Sequence, residues 1–377
     1  MSVPGEITRV VELTPPGRGA VAVVLVEGPR AVERVDAAIH RADGRSLADF
    51  PVGRILVARW GSPAGEELVV CCRATDAVEI HCHGGAAAVA GIVSRLCDDG
   101  CKRESWQAWK RRSTPDPIRA AAQIALTNAP TVRTAAILLD QFEGALSLAI
   151  QQITTAIDAN DWPAVIALLE ELLARRPVGL HLTEPWRVVL AGRPNVGKSS
   201  LLNALVGFER AIVYDRPGTT RDVVTSITAI DGWPVLLADT AGLRDAVDEI
   251  EAAGVERATS AAAGADLVLL VDDTPAAEPI AAPNAVLSLR VLNKVDLHPS
   301  LGARDRERFD VCVSATHGTG IATLAAAIAE DLVPTPPVAG TPVAFESAQY
   351  DLLLAALDAA RRHDPLAVNR CLQSLLG

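Results

Sequence analysis

The aliphatic run Val188 to Leu190 leads straight into Gly192-Arg193-Pro194-Asn195-Val196-Gly197-Lys198-Ser199, after which Leu201, Leu202, Ala204 and Leu205 begin a helical pattern. Strand, glycine-bearing loop and helix in that order commit this stretch to an open α/β sheet with the loop at a strand's carboxyl end. Glycines let successive backbone N–H groups turn toward phosphate oxygens, Lys198 supplies neutralising charge, and the Ser199 hydroxyl suits magnesium. Asn195, Val196, Gly197, Lys198, Ser199 and Ser200 are therefore expected to hold the phosphates of a nucleotide. By itself the loop leaves ATP and GTP equally open.

Three further motifs narrow the choice. Val235 to Ala238 runs into Asp239-Thr240-Ala241-Gly242, which puts a carboxylate at a strand end for water-mediated magnesium binding and a glycine N–H where a γ-phosphate would sit. Between the two lies Gly218-Thr219-Thr220-Arg221-Asp222, in which Thr220 is expected to bring a second magnesium hydroxyl when triphosphate is bound. Asn293-Lys294-Val295-Asp296 follows the aliphatic stretch Ala285 to Leu292. The Asp296 carboxylate accepts two hydrogen bonds from guanine N1–H and the 2-amino group, whereas adenine would leave it desolvated and unpaired. Asn293 is expected to hold the loop and reach N7, the Lys294 stem to cover one face of the base, and Ser314-Ala315 to present backbone N–H to O6. The set reads as a GTP-hydrolysing switch. Leu243 stands where many such switches carry a water-orienting glutamine. The acidic stretch Asp248, Glu249, Glu251 is open between a replacement carboxylate and a solvated helix start.

The rest of the 377 residues leaves room for more than one packed unit, and 3% aromatics against 49% hydrophobic residues point to aliphatic, helix-rich cores. Residues 1–113 alternate short β-type runs (Ile7 to Leu13, Ala20 to Val26, Arg54 to Ala58, Leu68 to Cys72) with helical stretches such as Gly84 to Cys97, an α+β domain. After Thr114-Pro115-Asp116-Pro117, residues 114–182 repeat apolar positions at helical spacing, the first part of a helical bundle. Residues 183–333 form the α/β P-loop GTPase (G) domain. Pro334 to Gly340 reads as a linker, and residues 341–377 as the second part of the bundle, so the G domain is inserted in the helical one. Leu352, Leu353, Leu354 and Leu357 are expected to face its core together. No apolar stretch nears the ~20 residues of a membrane span and MSVPGEITRV lacks a signal-peptide pattern, so a cytoplasmic protein with no membrane partner is expected. Seven cysteines, an odd number, are read as reduced thiols. A charge of −11 argues against broad nucleic-acid binding but leaves local docking of one RNA open. His81-Cys82-His83 with Cys71, Cys72, Cys97 and Cys101 completes no Cys-x-x-Cys pair, and the cysteines are read as core residues. Lys102-Arg103 and Lys110-Arg111-Arg112, interleaved with Trp106 and Trp109, are read as a solvated helix with two buried tryptophans in preference to an RNA-facing patch.

With those residues in place, the chain resembles the MnmE (TrmE) family of tRNA-modification GTPases. The resemblance rests on Ala191 to Leu205, Gly218 to Asp222, and Asp239 to Arg244 followed by Val255-Glu256-Arg257-Ala258. It extends to Thr14-Pro15-Pro16-Gly17-Arg18-Gly19 and to Val78 to Gly85, which are similar to the family's folate-binding, dimer-forming N-terminal domain. It implies GTP/GDP and Mg2+ as ligands, a homodimer, and a tRNA and a partner enzyme in wobble-uridine modification. It implies that Glu251 is the catalytic glutamate and that Asn195 ligates K+. It implies that Tyr214, Asp215, Arg216, Pro217, Gly218 and Thr219 line the nucleotide, with Tyr214, Arg216 and Thr219 completing the K+ site; Arg216 is a candidate to stand in for the cation. In that mechanism two G domains meet across their nucleotides. Two departures bear on a tetrahydrofolate cofactor and the modification reaction. Leu25 replaces the family's folate-site arginine while Glu79 is kept, and the chain ends Cys371 to Gly377 without Cys-x-Gly-Lys. Glu104 to Ala129 is unlike the family, and Asp296 to Phe309 leaves little room for a full helix.

Overall fold

The computed structural model describes residues 7–15, 17, 19–208, 225–239, 264–275 and 287–376, and the chain parts into two units, Met1–Pro115 and Asp116–Gly377. In the first, β1 (Arg9–Glu12), β2 (Val21–Glu27), β3 (Ile39–His40), β4 (Ile55–Trp60), β5 (Glu67–Ala74), β6 (Ala77–His83) and β7 (Lys102–Glu104) form one sheet in the order β3-β4-β5-β6-β2-β1-β7. Neighbours run antiparallel except the parallel pair β1 and β7. Side chains alternate faces along a strand. Val78, Ile80 and Cys82 of β6 accordingly join Val24, Val70 and Val10 in a core closed by Val35 of α1 (Ala31–Ala38) and Ile92 and Leu96 of α2 (Ala86–Asp98). Glu79, His81 and His83 stand on the opposite face.

The basic stretch departs from its sequence reading. Lys102 and Arg103 lie in strand β7, since pairing with Arg9 and Val10 of β1 satisfies their backbone where propensity alone would not. In the short α3 (Trp106–Ser113) no residue is buried, and Trp106 and Trp109 are only half-buried. Arg112 is held by Glu27 at 2.6 Å and Glu104 at 3.0 Å, and Arg103 lies 3.8 Å from Glu12, so much of the cationic charge is met within the unit.

The second unit begins with α4 (Pro117–Leu126), α5 (Val132–Glu143), α6 (Ala145–Asp158), α7 (Trp162–Ala174) and the short α8 (Arg176–Leu180). Asp116, Thr131 and Asp161 cap α4, α5 and α7 by accepting from the backbone N–H of Arg119, Thr134 and Ala164, with Pro117 at the first turn of α4. Gly144, at φ +111°, lets α6 follow α5 with no intervening loop.

The chain then builds β8 (Trp186–Gly192), α9 (Lys198–Phe208), β9 (Thr225–Ile230), β10 (Trp233–Asp239), β11 (Leu267–Asp272), β12 (Leu287–Leu292), α10 (Ala303–Arg306), β13 (Val311–Cys312) and α11 (Ile321–Leu332). The sheet order is β13-β12-β11-β8-β10-β9, parallel throughout except β9, which pairs antiparallel with β10. This is an open, mostly parallel α/β sheet. The order reverses at β8, and the carboxyl ends beside such a reversal form the crevice where open α/β sheets take ligands. The span between Asp296 and Phe309 holds only the four-residue α10.

Residues 334–346 return to the helices, and α12 (Ser347–Arg361) and α13 (Pro365–Leu376) pack on α7, α6 and α4. Gln141 of α5 is fully buried and pins that return: its Nε2 donates to Thr341 O at 3.0 Å and its Oε1 accepts from Val343 N at 3.1 Å. Gly179 of α8 is packed so tightly that a Cβ there would sit 1.9 Å from Ala344 O. The α12 leucines do not act together. Leu353 and Leu357 are buried, but Leu354, one residue on from Leu353, turns 45% exposed, as the 3.6-residue period requires.

Candidate nucleotide site

Every element of the candidate site ends on the carboxyl edge of the second sheet. The glycines of the β8–α9 loop are needed for close approach. A Cβ on Gly192 would lie 2.3 Å from Val271 O, and one on Gly197, at φ +92°, 2.4 Å from Asn293 Nδ2. Asn195 adopts φ +65°, the left-handed turn that asparagine tolerates. Lys198 folds back over the loop and donates to Gly192 O at 3.1 Å and Arg193 O at 3.0 Å. Ser199, at the first turn of α9, donates to Asp239 Oδ2 at 2.7 Å, bringing two oxygen donors suited to a hard cation to the end where phosphate is expected. Ser200 is exposed on the same turn.

Asn293, 1% exposed, is the hub of the end where a base is expected. Its Nδ2 donates to Val196 O at 3.0 Å and its Oδ1 accepts from Ala315 N at 3.1 Å. The phosphate loop and the Ser314-Ala315 loop are thereby locked to one side chain, and the second hydrogen of the Asn293 amide is the one left for the expected N7 contact. Lys294 lies at φ +58° and donates from Nζ to Asn195 O at 2.6 Å and to Asp273 Oδ2 at 2.7 Å. Asp296 faces solvent, with Oδ1 2.5 Å from the Ser314 hydroxyl. That hydrogen bond holds its carboxyl below the usual range.

The structure thus gathers Asn195, Val196, Gly197, Lys198, Ser199, Asp239, Asn293, Lys294, Asp296, Ser314 and Ala315 along one edge. Tyr214, Asp215, Arg216, Pro217, Gly218, Thr219 and Thr220, and Thr240, Ala241, Gly242 and Glu251, lie outside the described residues. Four residues enter that the motifs did not flag. Asp273 pairs with Lys294, whose hydrogen bond depresses the Asp273 carboxyl. Asp272, beside it, is raised by burial against the charge of Arg193. His298 Nε2 lies 2.8 Å from Asp273 O, and His317 Nδ1 lies 3.0 Å from Ser314 Oγ. Paired aspartates closing β11 were the available signal for the first two. Each histidine follows its motif by two residues and carries no signal in spacing alone.

The N-terminal unit holds a second group of sequence candidates. Leu25 is buried opposite Glu79 in the β2–β6 register, and Glu79 is met by Arg73 at 3.6 Å and His81 at 3.4 Å. His83 Nδ1 lies 2.8 Å from Glu66. Among the described residues no three or more His, Cys, Asp or Glu side chains are placed to hold a metal, all seven cysteines are free thiols, and no helix is long and apolar enough to cross a membrane.

Comparison with known proteins bears on the whole chain. A family model described as a 50S ribosome-binding GTPase matches residues 187–296. The tRNA modification GTPase MnmE of Synechococcus sp. (strain WH7803) is 36% identical over 370 residues, covering 86% of this chain and 80% of that protein. Its counterpart in Synechococcus sp. (strain CC9311) is 33% identical over 415 residues, 96% of this chain and 89% of that one. The counterpart in Geobacillus kaustophilus (strain HTA426) is 36% identical over 299 residues, with 68% and 65% covered.

Proposed function

The chain belongs to the tRNA modification GTPase MnmE family, and on that premise we propose that its GTP hydrolysis serves tRNA wobble-uridine modification and proceeds through pairing of two G domains. Family membership makes it a GTP-hydrolysing enzyme. The reading is supported by one observation: Asp296, held by Ser314, and Ser199, bonded to Asp239, stand on the same sheet edge and are tied together by Asn293 and Lys294, so that the first end would read guanine and the second hold phosphate. Lys198 is seated to pass its donors from two loop carbonyls to phosphate oxygens. Ser199 and Asp239, with Thr220, would hold magnesium, which when bound offsets phosphate charge.

In this reading Glu251 orients the attacking water, a task Leu243 has no group to perform. Potassium at Asn195, with Tyr214, Arg216 and Thr219, supplies the charge that an arginine supplies in other switch enzymes. A second copy of the chain closes the site, and tRNA and a partner enzyme are the downstream partners. GTP turnover in potassium and in sodium, across protein concentrations, tests this. Specific activity should rise with concentration and with potassium, and Glu251→Ala should lose turnover while still binding GDP. Rates indifferent to cation and concentration would sink the pairing mechanism.

A second reading, a regulatory GTPase without folate-dependent chemistry, is favoured by the buried Leu25 and by Glu79 taking Arg73 and His81 as its partners. Micromolar binding of 5-formyltetrahydrofolate would remove it.

A further inference from the structure

The Asp296 carboxylate is met by a short chain of polar groups that the Asn-Lys-x-Asp motif does not contain. An ionised carboxylate only accepts, and a serine hydroxyl has one proton to give. Ser314 Oγ lies 2.5 Å from Asp296 Oδ1, so that proton is committed to the carboxylate. The same oxygen lies 3.0 Å from His317 Nδ1. With the hydroxyl proton already spent, this second contact is a hydrogen bond only when Nδ1 carries the hydrogen and Ser314 Oγ accepts it. The His317 backbone N–H points at the same oxygen from 3.4 Å, a long contact that adds little. Ser314 itself is anchored, 1% exposed, with its N–H donating to Thr319 O at 2.9 Å. The one freedom left to it is rotation of the hydroxyl, and the imidazole removes that freedom.

We propose that His317 is a positioning residue for guanine recognition: its Nδ1–H fixes the Ser314 hydroxyl toward Asp296 and so holds the carboxylate in the plane that serves two donors at once. The proposal rests on Asp296 reading guanine. His317 does not act mainly by charge, because its ring is 63% exposed and 3.8 Å from Oδ1, where solvent and salt screen the attraction. Geometry is what it supplies. A base that offers N1–H and a 2-amino group needs both carboxylate oxygens in place. Hypoxanthine offers N1–H alone and tolerates a turned carboxylate. Loss of His317 therefore acts on the difference between the two bases, which a general loosening of the loop would not touch.

The test is equilibrium binding of GDP, IDP and ADP to the full chain as wild type, His317→Ala and His317→Asn. His317→Ala should narrow the preference for GDP over IDP by about five-fold, the factor that ~1 kcal/mol for one neutral hydrogen bond corresponds to. His317→Asn, whose Nδ2–H falls where Nδ1–H stood, should restore most of it. A GDP:IDP ratio unchanged in His317→Ala overturns the proposal, even if both affinities fall together. So does His317→Asn that is no better than alanine. Wild-type protein that binds IDP or ADP as tightly as GDP would instead overturn the guanine reading, so the two failures are told apart within one experiment.

Discussion

Asn293 and Asp296 are three residues apart in one motif, yet their environments assign them opposite sensitivities. Asn293 is buried, and truncating it leaves the buried Val196 O and the part-buried Ala315 N without their side-chain partner. Stranded buried groups of this kind cost about 1–3 kcal/mol each, so Asn293→Ala should lower the urea midpoint of the second unit by an amount equivalent to about 2 kcal/mol or more. Asp296 faces water, and its Ser314 partner stays seated without it. Asp296→Ala should leave the midpoint in place while erasing the preference for GDP over ADP. If both variants unfolded alike and kept guanine selectivity, the division of labour would be wrong. The motif's residue types were legible from the sequence because nucleotide chemistry dictates them. The division was not, because which of the two is buried depends on the Ser314 loop, and that loop arrives from 18 residues beyond Asp296. The partnership of Lys294 with Asp273 was hidden for the same reason, 21 positions apart and made by the parallel pairing of β11 with β12.

At the scale of elements, strands and helices with strong periodicity declared themselves, and the polar ones did not. β2, β5 and β6 carry alternating or continuous apolar runs, whereas β7, reading Lys-Arg-Glu, is a strand only because β1 offers it an edge. The return segment 334–346 is a similar case. Its prolines mark it as non-helical in the sequence, but what holds it is Gln141, two hundred residues upstream. An isolated glutamine in the apolar face of α5 gives no warning of that role. Gln141→Leu fills the space yet leaves Thr341 O and Val343 N unpaired, and Val343 is itself fully buried. The substitution should destabilise the unit by about 2–3 kcal/mol despite its greater hydrophobicity, since one buried and one part-buried backbone group lose their partner. Thermal unfolding read by far-ultraviolet circular dichroism checks this, and an unchanged or raised midpoint would show that other groups take over.

At the scale of the molecule, the sequence suggests a nucleotide domain inserted in a helical one, and within the second unit the two parts share their packing. One apolar core runs from Ile118 and Leu138 through Trp186 and Val188 to Tyr350 and Leu372. Two tryptophans of the nucleotide part take their cover from helical residues. His181 stacks on Trp186 at 3.7 Å and reaches Asp266 at 3.3 Å, while the Arg133 guanidinium lies 5.2 Å from the Trp233 ring and pairs with Asp231 at 2.9 Å. Asp231 and Gly232 form the tight turn between β9 and β10, and β10 runs directly into Asp239, so the helices grip the strand that carries the proposed magnesium carboxylate. A fragment of residues 183–333 loses both covers, and a buried aromatic side chain is worth roughly 1.5–3 kcal/mol when fully sheltered. Opening one face of each tryptophan should therefore remove about 2–3 kcal/mol from the fragment relative to residues 116–377, which keep the helices. Guanidinium unfolding of the two, each saturated with GDP, makes the comparison. The longer fragment should unfold at the higher midpoint and bind GDP more tightly, because its β10 is held. Coincident midpoints and affinities would mean that the helices merely carry the nucleotide domain; separated ones would mean that they set the position of Asp239.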